Sequence, residues 1–84
     1  MSLTLTIAVF GRLADSVGDA FSFDVGEACS VADLRQRLAD SFPPIGADLL
    51  GSKVRFCVGD ALVPDDHILA EGRRVDILSP LSGG

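Results

Sequence analysis

The sequence ends Ser79-Pro-Leu-Ser-Gly-Gly84, and it is here that residue types point most directly to chemistry. Glycine has no Cβ, so a chain finishing in Gly83-Gly84 can thread a channel too narrow for other residues and present the carboxylate of Gly84 to an active site on another protein. The carboxylate is then the reactive group and Gly83 its slim neighbour. Pro80, with φ fixed, stiffens the segment and lowers the entropy lost on insertion. The plain alternative is a frayed end, for which the freedom of glycine suffices. Other candidates are poorer. Nothing near Cys57 in sequence lowers its pKa, and a small packing side chain suits it better; Cys29 reads the same way. His67, in Asp65-Asp-His-Ile68, has carboxylates beside it but no second imidazole and no ligand spacing, so no metal is expected. An iron–sulfur cluster needs four thiolates, and the chain has 2 cysteines. No Ser-His-Asp or paired-carboxylate set stands out, which argues against free-standing catalysis.

The elements that must position this end are legible in the alternation of apolar residues. Leu3 to Phe10 (LTLTIAVF) places Leu5, Ile7 and Val9 on one side and Thr4, Thr6, Ala8 and Phe10 on the other, a strand with one buried face. Phe21, Phe23 and Val25 alternate again after a polar connection, which makes a hairpin. Ser30 is a helix N-cap, with Asp33 a weaker relative of the usual capping-box partner, and Val31, Leu34, Leu38 and Phe42 recur at helical spacing until Pro43-Pro44 stops them. Arg35, Gln36, Arg37 and Asp40 fall on the opposite, solvent side of this helix of about three turns. Ile45 to Ser52 is a connector with room for a short helical turn. Val54, Phe56 and Val58 mark a third strand; the turns Gly59-Asp60 and Glu71-Gly72 lead into Ala61-Leu-Val63 and Val75-Asp-Ile-Leu78.

The order β-β-α-β-β-β predicts an α+β chain of the β-grasp (ubiquitin-like) fold, a mixed five-stranded sheet with one main helix packed on one face. Residues 1–78 form the domain and 79–84 a projecting tail, because the last strand is a central one, parallel to the first. The strand registers put Ala8, Phe10, Cys57 and Leu78 on the face the helix leaves open. Phe10 and Leu78, with Leu81 of the tail, are therefore expected to bind partner proteins, and Arg12 and Arg55 to rim that patch.

Composition bounds the rest. With 84 residues the chain holds one core, and 48% hydrophobic residues place it among globular proteins. Twelve acidic residues against 7 basic ones give a net charge of -5, which argues against nucleic acid and favours a partner with a basic docking surface. No apolar run reaches membrane-spanning length and the first residues lack the pattern of a secretion signal, so a cytoplasmic protein that does not engage a membrane is expected, with Met1-Ser-Leu3 either native or an added leader.

Phe10-Gly-Arg-Leu-Ala-Asp15 after the first strand, Ser30-Val-Ala-Asp-Leu-Arg35 opening the helix and SPLSGG at the end resemble, nearly end to end, the molybdopterin synthase small subunit of the MoaD-like and ThiS-like sulfur-carrier family. Members typically end PPVSGG; Ser79 stands here where they often have Pro, and Ala14 where they often have Arg. The resemblance implies that an E1-like (MoeB-like) adenylating enzyme activates Gly84 with ATP and that sulfur transfer converts it to a thiocarboxylate. The tail then enters a MoaE-like large subunit and delivers sulfur to precursor Z for molybdenum cofactor biosynthesis. The chain itself would hold no permanent cofactor and would supply an acyl group, not catalytic machinery. Service to thiazole synthesis or another sulfur pathway, conjugation to lysines as a ubiquitin-like modifier, and an inert interaction module remain the alternatives.

Overall fold

Leu5, Ile7 and Val9 are buried and Thr4, Thr6 and Phe10 exposed along the first strand, β1 (Thr4–Phe10), so its period of two sorts the chain into a core side and an open side. The computed structural model describes residues 3–70, 72 and 74–79. After β1 come a single helical turn α1 (Ala14–Val17), β2 (Ala20–Asp24), β3 (Cys29–Ser30), the main helix α2 (Val31–Ser41), α3 (Gly46–Leu50), β4 (Arg55–Val58), β5 (Ala61–Val63), β6 (Ile68–Leu69) and β7 (Arg74–Leu78). Five strands form one mixed sheet in the order β2-β1-β7-β4-β5, with β1 and β7 parallel at its centre and the other neighbours antiparallel. This is the β-grasp arrangement expected from the sequence. No described helix is long and apolar enough to cross a membrane.

The core lies between the sheet and α2. Val31, Leu34 and Leu38 descend from the helix onto Leu5, Ile7, Phe56, Val75 and Ile77, all buried. The helix begins where the sequence says it should. The Ser30 hydroxyl accepts from the Asp33 amide at 3.1 Å, and Asp33 Oδ2 accepts from the Ser30 amide at 3.3 Å, so the capping box is complete despite the shorter acid. Two further amides of the first turn, Val31 and Ala32, donate to the carbonyls of His67 and Asp65, both at 2.9 Å. The β5–β6 loop thus satisfies donors that a helix start otherwise leaves to water. After Phe42 the prolines end α2 and open a 3₁₀ turn, Pro43–Ile45, where a missing N–H costs nothing. Phe42 meets Phe21 edge-on at 5.3 Å, closing the core over β2.

The helix surface differs from expectation at Arg35. Arg35 does not face solvent; its side chain is 12% exposed. Its guanidinium donates to the carbonyls of Leu49 (2.8 Å), Gly51 (3.1 Å) and Val54 (2.7 Å) and to Asp65 Oδ1 (2.9 Å), and it lies 4.7 Å from the Phe56 ring centroid. One planar cation therefore staples α2 to the α3–β4 connection and to the β5–β6 loop, a task for the fixed fork of Arg. Arg37 is exposed as expected and donates to the Val25 carbonyl at 2.6 Å. Gln36 and Asp40 pair with each other on the exposed face, at 3.1 Å.

Candidate functional site

The face of the sheet opposite α2 carries two cross-strand rows. In the first, Phe10 of β1, Leu78 of β7 and Arg55 of β4 stand side by side; in the second, Ala20, Ala8, Asp76, Cys57 and Leu62 run across all five strands. Phe10 is 46% exposed, Leu78 37% and Leu62 58%, so three large apolar side chains open to solvent on one surface. Ala8 and Cys57, expected in the exposed patch, are buried although they lie on this face. Both are small residues on inner strands of the sheet. Arg74 stands with its guanidinium 6.0 Å from the Phe10 ring centroid and its Nε 2.7 Å from Asp76 Oδ1. The patch thus sets exposed apolar side chains beside Arg55, Arg74 and Asp76, a mixture of apolar and charged groups suited to contact with another protein. Burial pushes the Cys57 thiol up, with Asp76 and Asp60 adding to the effect, so it is not a ready nucleophile. Cys29 is also raised, first by burial; Asp33 and Glu27 add to this and Arg37 opposes it.

Of the residues singled out from the sequence, the structure brings Phe10, Leu78 and Arg55 into one row. Arg12, exposed in the β1–α1 turn, shares a shallow depression with Phe10 beyond the end of the row. Leu81, Gly83 and Gly84 lie outside the described residues. Leu62 and Arg74 were missed. The alternation of Ala61-Leu-Val63 carries the signal for Leu62, but only the pairing of Leu62 with Cys57 shows which face it joins. His67 stands at the β5–β6 loop, and no cluster of metal-ligating side chains occurs among the described residues.

The chain leaves the sheet beside this patch. Beyond the last β7 residue, Ser79 donates its amide to the Phe10 carbonyl at 3.0 Å. Its hydroxyl donates to that same carbonyl at 2.7 Å and accepts from the Leu13 amide at 3.1 Å. A proline in this place could make none of these bonds. Whatever follows Ser79 therefore starts next to the exposed row of Phe10 and Leu78.

The family profile of the ThiS family matches residues 7–84, nearly the whole chain. The chain belongs to the ThiS family. Solved structures similar to this ThiS-family chain share its fold. The small archaeal modifier protein 1 of Haloferax volcanii superimposes with a TM-score of 0.76 at 22% identity, over 96% of this chain and 99% of that one. A Pyrococcus furiosus protein provisionally named molybdopterin converting factor, subunit 1, gives 0.78 at 20% identity, over 95% and 100%. The small archaeal modifier protein 1 of Methanosarcina acetivorans gives 0.74 at 18% identity, over 100% and 99%. A search of curated protein sequences gave no significant match.

Proposed function

We propose that this ThiS-family chain is the sulfur-carrying small subunit of a molybdopterin synthase. The observation that carries the proposal is the family match running through Gly84, which makes the Gly-Gly end part of the family pattern. The Pyrococcus furiosus structure is consistent with it at the level of fold. The Gly84 carboxylate attacks the α-phosphate of ATP on an E1-like adenylating enzyme, pyrophosphate leaves, and the carbonyl acquires a good leaving group, AMP. A sulfur nucleophile displaces AMP, and the resulting thiocarboxylate is carried to a large subunit that transfers the sulfur to precursor Z. Phe10 and Leu78, rimmed by Arg55 and Arg12 and joined by Leu81, dock on each partner in turn, and the bound ATP belongs to the activating enzyme.

A second reading, a ubiquitin-like modifier joined to lysines, is favoured by the likeness to the small archaeal modifier proteins of two organisms. Both readings share the activation step, so one experiment tests that step and a second divides them. Incubation with an E1-like enzyme, ATP and a sulfur donor should raise the intact mass by about 16 Da, one oxygen replaced by sulfur, and deletion of Gly84 should abolish the gain. An unchanged mass with an enzyme that activates a control carrier defeats both. The thiocarboxylated chain should then convert precursor Z in the presence of a large subunit. Failure there, with higher-mass lysine adducts in cell extract, selects the modifier.

A further inference from the structure

Ser79 is fastened more firmly than the end of a strand requires. The hydrogen bond from its N–H to the Phe10 carbonyl extends the parallel pairing of β1 and β7, and the sheet needs nothing more there. The hydroxyl adds a second attachment, donating to the Phe10 carbonyl and accepting the Leu13 amide, so it links the chain to the far side of the β1–α1 turn across 66 residues of sequence. The turn is shaped to receive it. Gly11 takes a φ of +89°, and a Cβ there would strike the Ser79 carbonyl oxygen and stand 2.7 Å from its Oγ. Phe10 meanwhile serves twice, its ring open on the docking surface and its carbonyl gripping Ser79.

Given the carrier reading above, we propose that Ser79, seated against Gly11, is a positioning residue: the latch fixes the direction in which the tail leaves the docking surface and so aims the Gly84 carboxylate at the activating enzyme. Five residues follow Ser79 (84 − 79 = 5), enough to reach about 17 Å when extended. A swing at the root is amplified over that reach, and reaction requires the attacking carboxylate oxygen about 3–3.5 Å from the α-phosphorus of ATP and in line with the departing pyrophosphate. Docking through the sheet face does not depend on the latch. Loss of the hydroxyl should therefore lower the fraction of docked chains whose carboxylate is in place, leaving the strength of docking as it was.

The test compares the full chain with Ser79→Ala and Ser79→Thr, the second keeping the hydroxyl. Amide hydrogen exchange followed by NMR should show the Leu13 amide protected in the wild type and in Ser79→Thr and released in Ser79→Ala, with the amides of Val9 and Ile77 unchanged in all three. Steady-state pyrophosphate release with an E1-like enzyme should show kcat lower by about fivefold or more in Ser79→Ala with KM unchanged, the size set by two hydrogen bonds, and restored in Ser79→Thr. A Leu13 amide that exchanges equally in wild type and Ser79→Ala overturns the latch. Wild-type kcat in Ser79→Ala, or a change in KM alone, overturns the positioning role. A wild-type chain that releases no pyrophosphate while a control carrier does overturns the carrier reading and the role together, and the exchange data then still report whether the latch exists.

Discussion

Arg35 offers the sharpest test of how the fold is held together. Replacing it with Ala removes three donors to main-chain carbonyls, at 2.7 to 3.1 Å, and the cation over Phe56. A hydrogen bond with a charged partner contributes about 1.5–3 kcal/mol, and a desolvated cation–π contact about 2 kcal/mol. The simple sum overshoots, because truncation opens a path by which water can reach the freed carbonyls. A cost of about 2–4 kcal/mol is expected, against a total of about 4–12 kcal/mol for a chain of this length. The midpoint of thermal unfolding should fall by about 10–25 °C. Asp65, although it forms the ion pair, is 63% exposed on its side chain, so Asp65→Ala should cost less than about 1 kcal/mol. Arg35→Lys keeps the charge but not the fork, and should fall between the two. Urea titrations read through the midpoint at constant m supply the numbers. If Asp65→Ala costs as much as Arg35→Ala, or Arg35→Lys matches the wild type, the attachment to the carbonyls is not what Arg35 contributes.

The double variant Phe10→Ser with Leu78→Ser should leave the urea midpoint within about 1 kcal/mol of wild type, since both side chains are substantially exposed, while binding to an E1-like enzyme weakens by about tenfold or more; calorimetric titration reads the affinity, and unchanged binding removes the open sheet face as the docking surface. Both thiols are held above the ordinary value of 9.0 by burial, so the folded state favours the neutral form. The stability that this contributes is complete below pH 9.0 and is lost as pH rises from there through the folded values. The urea midpoint of wild type should therefore decline more steeply above that pH than that of the Cys29→Ala, Cys57→Ala variant, and parallel curves would contradict the assignment.

Much of the fold could be read from periodicity because the strongest signals serve the core. Leu5, Ile7 and Val9, and Val31, Leu34 and Leu38, declare a strand and a helix whose apolar faces can only meet each other. The pairing of β3 with β6 leaves no trace in the pattern because each strand has two residues, too few for alternation to register. The α1 turn buries none of its residues and left no apolar stripe to read. Arg35 was misplaced because helical spacing puts it off the apolar stripe, while its long stem carries the charge to carbonyls that no pattern in the sequence brings near. On the open sheet face, alternation fixes the side of Phe10 and Leu78, but only the pairing of neighbouring strands places exposed Leu62 there beside buried Cys57. The bonds of Ser79 join residues at opposite ends of the chain, and nothing local in either stretch announces them.

The parallel pairing of β1 with β7 also decides how the domain answers to force. Because the two strands run the same way, a pull at the start of β1 and the finish of β7 slides one past the other and loads their hydrogen bonds all at once, whereas an antiparallel pair pulled at its open ends would unzip bond by bond. Traction on the chain end meets the two central strands in shear. Stretched in a force microscope, the domain should yield in one abrupt high-force event, and a gradual low-force peel would contradict that geometry. Under the carrier function proposed above, an end drawn into another protein's active site is anchored to the part of the sheet best able to resist being drawn out.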